Sequence, residues 1–96
     1  MANRRRSILT AGARFILSYL ASATSPQSYL DISAGALLSY FHTRYLVAQL
    51  IKKGLITKSF EDGKKQPVFA LTQPIPAPVL LIVESVRLAA FDEVLL

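Results

Sequence analysis

Several residue types that build catalytic or metal centres are absent from this 96-residue sequence or scarce in it. It contains no cysteine, and His42 is its single histidine. The lack of cysteine excludes disulfides, thiolate zinc sites and cysteine nucleophiles, and it fits a cytoplasmic protein. One histidine and six acidic residues leave little from which to build a metal site. We therefore expect neither a metal nor a cofactor.

Catalytic, secretory and membrane signatures are also missing. The sequence has no GxSxG elbow, no phosphate-binding glycine loop and no pair of metal ligands at helical spacing, so we do not expect an enzyme. The apolar run after the arginines at 4–6 is broken by Thr10, Gly12 and Arg14, unlike the core of a signal peptide. No stretch reaches the roughly 20 apolar residues of a transmembrane helix. These absences predict a soluble, intracellular protein.

The charge is concentrated in one part of the chain. The net charge is +5 and the pI about 9.9. Residues 1–73 hold ten Lys and Arg against three acids, whereas residues 74–96 are slightly acidic. A cationic surface suits a polyanion, because neutralised phosphates release counterions. A solvated basic surface without a partner would have the same composition.

The length and the composition predict one domain with two short extensions. Ninety-six residues, 52% of them hydrophobic, can fill one core and leave no room for a second. We assign residues 1–6 to a basic N-terminal arm, 7–73 to the domain, and 74–96 to a proline-rich spacer and a C-terminal helix. The arm either lies along phosphates or is a disordered solubilising end.

The first half of the domain predicts two helices and a short strand. Apolar residues recur at helical spacing from Ser7 to about Ala21. Polar and apolar residues alternate sufficiently over Ser28–Ile32 to predict a short strand. Ser33 can cap a second helix that runs from Ala34 to about Tyr40 or Phe41.

A third helix follows a predicted break at residues 41–43. Its sequence is RYLVAQLIKKGLI, with Thr43 as the expected cap and Gly54 at the expected end. At about 100° per residue, one side is apolar and should pack: Leu46, Val47, Leu50 and Ile51. The other side should be exposed: Arg44, Tyr45, Ala48, Gln49, Lys52 and Lys53.

A β-hairpin should come next. Ile56–Phe60 alternates apolar and polar residues, and Val68–Leu71 can form the returning strand. Between them lies the loop Glu61–Gln66, which contains the turn pair Asp62-Gly63.

This succession of a helix, a turn, a helix ending in KKGLI, a strand, a charged glycine-containing loop and a strand ending in FALT resembles a known fold family. It is similar to the winged helix-turn-helix domains of small bacterial, archaeal, phage and plasmid regulators, over roughly Ser7 to Thr72. The resemblance implies an α+β, mainly α fold: three helices and a β-hairpin wing, here with an additional C-terminal helix. It also implies that the helix from Thr43 to Lys53 enters the major groove, with the 61–66 loop near phosphates.

Under this interpretation the DNA contacts fall into three groups. Arg44, Tyr45 and Gln49 should approach base edges. His42, Thr43 and Lys52 should serve phosphates or the start of the helix. The wing and the arm should supply affinity through Lys64, Lys65, Arg4, Arg5 and Arg6. Lys53 is a further expected contact.

The C-terminal segment predicts a homodimer. Prolines at 74, 76 and 78 indicate a stiff spacer, and Val79 to about Val94 reads as a helix that is apolar on nearly every side. The expected interface comprises Val79, Ile82, Val83, Val86 and Ala90. The alternative is a helix folded wholly into the core of one chain. A two-fold dimer would require a palindromic operator.

Two classes of function follow from these observations. The first is a dimeric, sequence-specific double-stranded DNA-binding protein, most simply a transcriptional repressor; a plasmid partition or replication-control protein would use the same contacts. The second is a winged helix that serves as a protein–protein interaction module. Exposed Arg, Gln and Lys on the third helix favour DNA, and exposed apolar residues there would favour a protein partner.

Overall fold

The computed structural model describes residues 9–84. Its elements, in chain order, are α1 (Ala11–Ser22), α2 (Tyr29–Ala36), α3 (Tyr40–Lys52), β1 (Ile56–Phe60), β2 (Pro67–Leu71) and α4, of which residues 77–84 are described. Three helices followed by a β-hairpin and a further helix confirm the predicted winged helix-turn-helix fold. Within residues 9–84, no helix combines the length and the apolarity needed to cross a bilayer.

Helix α1 lies across the core and begins at a capped end. The Ala13 N–H donates to Thr10 Oγ1 (3.2 Å), which satisfies one of the amide donors that a helix start leaves unpaired. Ile16, Leu17 and Leu20 are buried on the inner side. The helix therefore begins at Ala11, and the prediction that it already includes Leu9 and Thr10 is wrong. Ser7 itself lies outside the described residues.

The prediction of a strand at Ser28–Ile32 is wrong, because this segment begins helix α2. The Asp31 N–H donates to Ser28 Oγ, and the Ser28 N–H donates to Asp31 Oδ2, each at 3.2 Å, so the two residues form a capping box. Ile32 and Ala36 are buried at a spacing of four. In place of the third strand, the described part of the chain has one isolated β-bridge, between Gln27 and Phe69.

The turn of the helix-turn-helix unit comprises residues 37–39. Leu37 takes a left-handed conformation (φ 58°, ψ 46°), and the Leu38 N–H donates to the Ser33 carbonyl (3.0 Å). Ser39 then caps α3 by accepting from the His42 N–H (3.1 Å). The predicted break at 41–43 and the predicted Thr43 cap are therefore wrong. Helix α3 begins about one turn earlier than the sequence indicated.

The inner side of α3 agrees with the sequence prediction. Leu46, Val47 and Leu50 are buried, and Gly54 (φ 77°) follows the end of the helix. On α1, a Cβ added to Gly12 would lie 2.8 Å from Leu46 Cδ1. The missing side chain thus lets α1 and α3 approach closely.

The hairpin has the predicted strands and loop. β1 and β2 pair antiparallel, with Ile56 opposite Leu71 and Phe60 opposite Pro67. At the tip, the Lys64 N–H donates to the Glu61 carbonyl (3.0 Å) around Gly63 (φ 76°). The hairpin therefore holds the 61–66 loop out in solvent as a wing.

The position of helix α4 changes the set of residues that can form the expected dimer interface. Val79 and Val83 belong to the same buried cluster as the core residues of α1 and α3, so they cannot also face a partner. Ile82 is half-buried. The large apolar side chains that the described part of α4 exposes are Leu80 and Leu81, the latter 73% exposed. Val86 and Ala90 lie outside the described residues.

Candidate nucleic-acid interface

The side of α3 that faces away from the core is aromatic at its start and cationic at its end. Thr43, Leu46, Val47 and Leu50 point inward. At about 100° per residue, the opposite side is formed by four residues, all exposed: Phe41, Tyr45, Ala48 and Lys52. We call these four residues the outward face.

The residues of α3 that were predicted to contact bases or phosphates lie on this face and on its two flanks. Tyr45 and Lys52 belong to the outward face and are exposed, as expected. Arg44, also exposed, lies on the flank towards α2. His42, which is exposed, and Gln49, which is half-buried, lie on the opposite flank. Of the three residues expected to read bases, Tyr45 therefore lies on the outward face, and Arg44 and Gln49 lie on the flanks to either side of it.

Arg44 is held against two tyrosines. Its guanidinium carbon lies 5.0 Å from the ring centroid of Tyr29 on α2 and 5.7 Å from that of Tyr40. Arg44 Nη1 also lies 3.5 Å from Tyr40 Oη, the long limit of a hydrogen bond. An exposed cation–π contact contributes about 0.5–1 kcal/mol. The arginine is thus partly ordered before any ligand arrives, which lowers the entropy cost of using it in binding.

A row of aromatic rings connects the outward face to the core. Phe69 is buried in β2 and lies 4.7 Å from Tyr29, measured between ring centroids. Tyr29 lies 6.0 Å from Tyr40, and Tyr40 lies 5.8 Å from Phe41, both edge-to-face. These are favourable distances for aromatic pairs. The row fixes the first turn of α3 relative to the hairpin.

Thr43 does not lie where the sequence analysis placed it. Its side chain is buried, and Oγ1 has no hydrogen-bond partner. It neither caps α3 nor reaches the surface, so it is not available to a phosphate.

The beginning of the described chain lies beside α3. Leu9 and Thr10 line a shallow depression together with Tyr45, Gln49 and Lys53. Leu9 and Thr10 therefore lie on the Gln49 flank of the outward face.

The wing carries its cations in solvent. Lys64 and Lys65 are exposed, and Lys64 Nζ lies 4.0 Å from Glu61 Oε1. An exposed ion pair of this kind contributes less than about 1 kcal/mol, so Lys64 can exchange its partner at little cost. Lys58 on β1 is a further exposed cation, 5.7 Å from the ring of Phe60, that the sequence analysis did not single out.

Several residues of the site were missed at the level of sequence. Phe41 was placed at the end of the second helix or in the break after it, and no role was given to Tyr29 or Tyr40. Ser39, which precedes α3, is the sequence signal that would have placed the start of the helix and hence Phe41 on its outer side. Among residues 9–84, no three His, Asp or Glu side chains come together in a way that could hold a metal ion.

No protein-family model and no curated protein matches the sequence. Solved structures do match. MepR, described as a transcription regulator of the Staphylococcus aureus multidrug efflux pump MepA, is 21% identical, with a TM-score of 0.65 over 97% of this chain and 65% of that one. Lactococcus lactis ZitR in complex with DNA is 20% identical, with a TM-score of 0.67 over 91% of this chain and 60% of that one.

A third match is AdcR from Streptococcus pyogenes, described as an adhesin competence repressor. It is 19% identical, with a TM-score of 0.69 over 98% of this chain and 64% of that one. ZitR is further described as a zinc-responsive MarR family member. At these identities the likeness shows the winged helix-turn-helix fold alone. The present chain spans about three fifths to two thirds of the length of these solved chains.

Proposed function

We propose that this chain is a sequence-specific double-stranded DNA-binding protein that regulates transcription, acting as a repressor, and that α3 enters the major groove. The observation that carries the proposal is the outward face of α3, where exposed Tyr45 and Lys52 lie beside Arg44. The hairpin that follows α3 adds the exposed Lys58, Lys64 and Lys65, and one solved example of this fold, ZitR, is bound to DNA. An α-helix fits the major groove of B-DNA, whose base edges distinguish all four base pairs.

The reading residues have distinct roles in this arrangement. Arg44 supplies a bidentate donor for guanine O6 and N7, and its tyrosine contacts restrict the directions it can take. Gln49 matches the donor and acceptor of adenine from the other flank. Lys52, one turn nearer the end of the helix, binds phosphate.

The wing and the arm supply affinity that does not depend on sequence. Lys58, Lys64 and Lys65 are all exposed on the hairpin. Arg6 is three residues from Leu9, so the extended chain allows it to reach at most about 11 Å from the depression beside Tyr45. Arginines tethered there can lie along the phosphates that flank the bases under α3.

The homodimer is part of the proposal, with a changed interface. Because Val79 and Val83 are buried within the chain, the exposed Leu80 and Leu81 provide the apolar surface of α4, together with residues beyond 84. Leu81→Glu should dissociate the dimer in sedimentation experiments, and Glu84→Ala, on the same exposed helix, is the matched control. A Leu81→Glu variant that remains dimeric would remove α4 from the interface.

One observation favours the second class of function. Phe41 is 80% exposed and Leu37 is 89% exposed, and both lie at the start of α3 or just before it. Apolar side chains there were the feature expected of a protein–protein interaction module. The exposed cations Arg44 and Lys52 on the same helix favour DNA as the partner, so we retain the protein-binding function as the alternative that the experiment must decide.

The test is selection of binding sites from a random pool of duplex DNA with the full chain. The proposal requires one sequence to be enriched; this enriched duplex is then used in gel-shift assays. Arg44→Ala should weaken binding by about 1–3 kcal/mol and relax the preference at one base pair. Arg14→Ala, an exposed arginine on α1, is the control for the loss of charge and should leave the preference unchanged. A pool without enrichment would instead support the interaction module.

A further inference from the structure

The outward face is apolar from its start to Ala48, and cationic side chains lie beside and beyond this stretch. We call the stretch the apolar centre. Phe41, Tyr45 and Ala48 lie along one side of α3, and no side chain among residues 9–84 buries them. Large apolar side chains exposed together in this way usually mark a binding surface. The apolar centre therefore calls for a ligand group that is itself apolar.

Phe41 is presented rigidly. Its ring packs edge-to-face against Tyr40 at 5.8 Å, and Tyr40 connects through Tyr29 to the buried Phe69. Ser39 caps the helix one turn before His42, which fixes the backbone of the first turn. A ring held in this way loses little conformational freedom when it binds.

The neighbouring charges indicate what the apolar group belongs to. Arg44 lies on one flank of the apolar centre and Lys52 lies one turn beyond Ala48, so a polyanion complements their charge. In the major groove of DNA, the apolar group that identifies a base is the 5-methyl of thymine, and Phe and Ala are side chains that contact it. This combination of a phosphate backbone and apolar groups matches the chemistry of the outward face.

We infer that Phe41 and Ala48, with the ring of Tyr45 between them, read the 5-methyl groups of thymines in the major groove. The inference rests on the proposed function and adds thymine-containing sites as its substrate class. Seven residues separate Phe41 from Ala48, a rise of about 10 Å along the helix. At about 3.4 Å per base step, the two thymines lie on the order of three base pairs apart.

The test uses the enriched duplex, in which each thymine is replaced in turn by uracil. This exchange removes only the methyl group. Loss of one buried methyl should weaken binding of the unaltered protein roughly fourfold. Phe41→Ala should bind the thymine and uracil duplexes equally at one position, and Ala48→Gly should do so at a second position.

Two controls separate methyl reading from damage to the protein. Phe15→Ala removes an exposed phenylalanine from α1 and should retain the full preference for thymine. Phe41→Leu keeps an apolar side chain and should retain part of it. Circular dichroism verifies that each variant is folded, as expected for substitutions at exposed positions.

The outcomes distinguish failure of this inference from failure of the proposed function. If a duplex is enriched but every uracil exchange is neutral, methyl reading is overturned and sequence-specific binding stands. If an exchange weakens binding equally in the unaltered protein, Phe41→Ala and Ala48→Gly, other side chains read the methyl and the inference is overturned. If no duplex is enriched, both proposals fail, and the apolar centre belongs to a protein interface.

Discussion

Replacing Leu37 with glycine should stabilise the protein. Leu37 follows the last residue of α2 and holds positive backbone angles, φ 58° and ψ 46°. It occupies the position where glycine is usual, because the Leu38 N–H donates back to the Ser33 carbonyl and the Leu37 N–H to the Ala34 carbonyl. Its side chain is 89% exposed, so truncating it removes almost no burial.

The magnitude follows from the backbone. A side chain with a β-carbon costs about 1–2 kcal/mol in the left-handed region, and glycine avoids this cost. Glycine also gives the unfolded chain more freedom, which offsets about 0.5–1 kcal/mol. The net gain from Leu37→Gly is therefore about 0.5–1 kcal/mol. For a domain of this size, the melting temperature should rise by a few degrees, at about 4–8 °C per kcal/mol.

Urea and thermal unfolding followed by circular dichroism measure the effect, with an unchanged denaturant slope as the condition for comparing midpoints. Leu37→Ala is the matched control, because it removes the side chain and keeps the backbone cost; it should give no gain. Leu37→Asn should fall between the two, since asparagine tolerates this conformation. If Leu37→Gly destabilises the protein, or stabilises it no more than Leu37→Ala, the reasoning from backbone strain is refuted.

Three further predictions concern the core and the wing. Thr43→Val should raise the free energy of unfolding by about 1 kcal/mol, because it removes an unpaired buried hydroxyl. It should leave DNA affinity unchanged, and weaker DNA binding would contradict the buried position of Thr43. Gly35→Ala should lower the free energy of unfolding by about 1–2 kcal/mol, because the new Cβ would overlap the ring of Tyr19. The penalty should disappear in a Tyr19→Ala background, and its persistence there would refute the overlap. Replacing both Lys64 and Lys65 with alanine should weaken binding to all duplexes alike and reduce the slope of log K against log salt by up to about two units. An unchanged slope would mean that the wing does not contact the DNA.

The hairpin and the inner side of α3 were accessible to sequence analysis because their signals are local and repeated. Alternation over Ile56–Phe60 and glycine at a turn each specify a conformation within a few residues. The spacing of Leu46, Val47 and Leu50 specifies the buried side of α3 in the same way. These elements are present as predicted.

The boundaries of α2 were not predicted correctly, for two physical reasons. Five alternating residues at Ser28–Ile32 also fit one turn and a half of helix, and the Ser28 and Asp31 side chains decide the outcome by closing a capping box. The helix then ends at a leucine in the left-handed region, where the sequence carries no glycine to mark the end.

The error in α2 carried over to the candidate site. Because α3 begins at Tyr40, Phe41 lies on its outward face, whereas the sequence analysis had placed Phe41 at the end of the second helix or in the break after it. The contacts of Arg44 with Tyr29 join residues of different helices and have no local signal. The apolarity of α4 on most sides concealed that Val79 and Val83 face the core of their own chain.

The central claim is that the outward face of α3 enters the major groove. Amide chemical-shift mapping of the full chain by NMR tests it directly, with the enriched duplex and a scrambled duplex of the same composition. With the enriched duplex, the largest shifts should occur on α3 around Phe41, Tyr45 and Ala48, accompanied by the 61–66 wing; the scrambled duplex should perturb the wing and leave α3 nearly unchanged. Equal perturbation by both duplexes, or shifts that leave α3 untouched while the enriched duplex is bound, would contradict the claim.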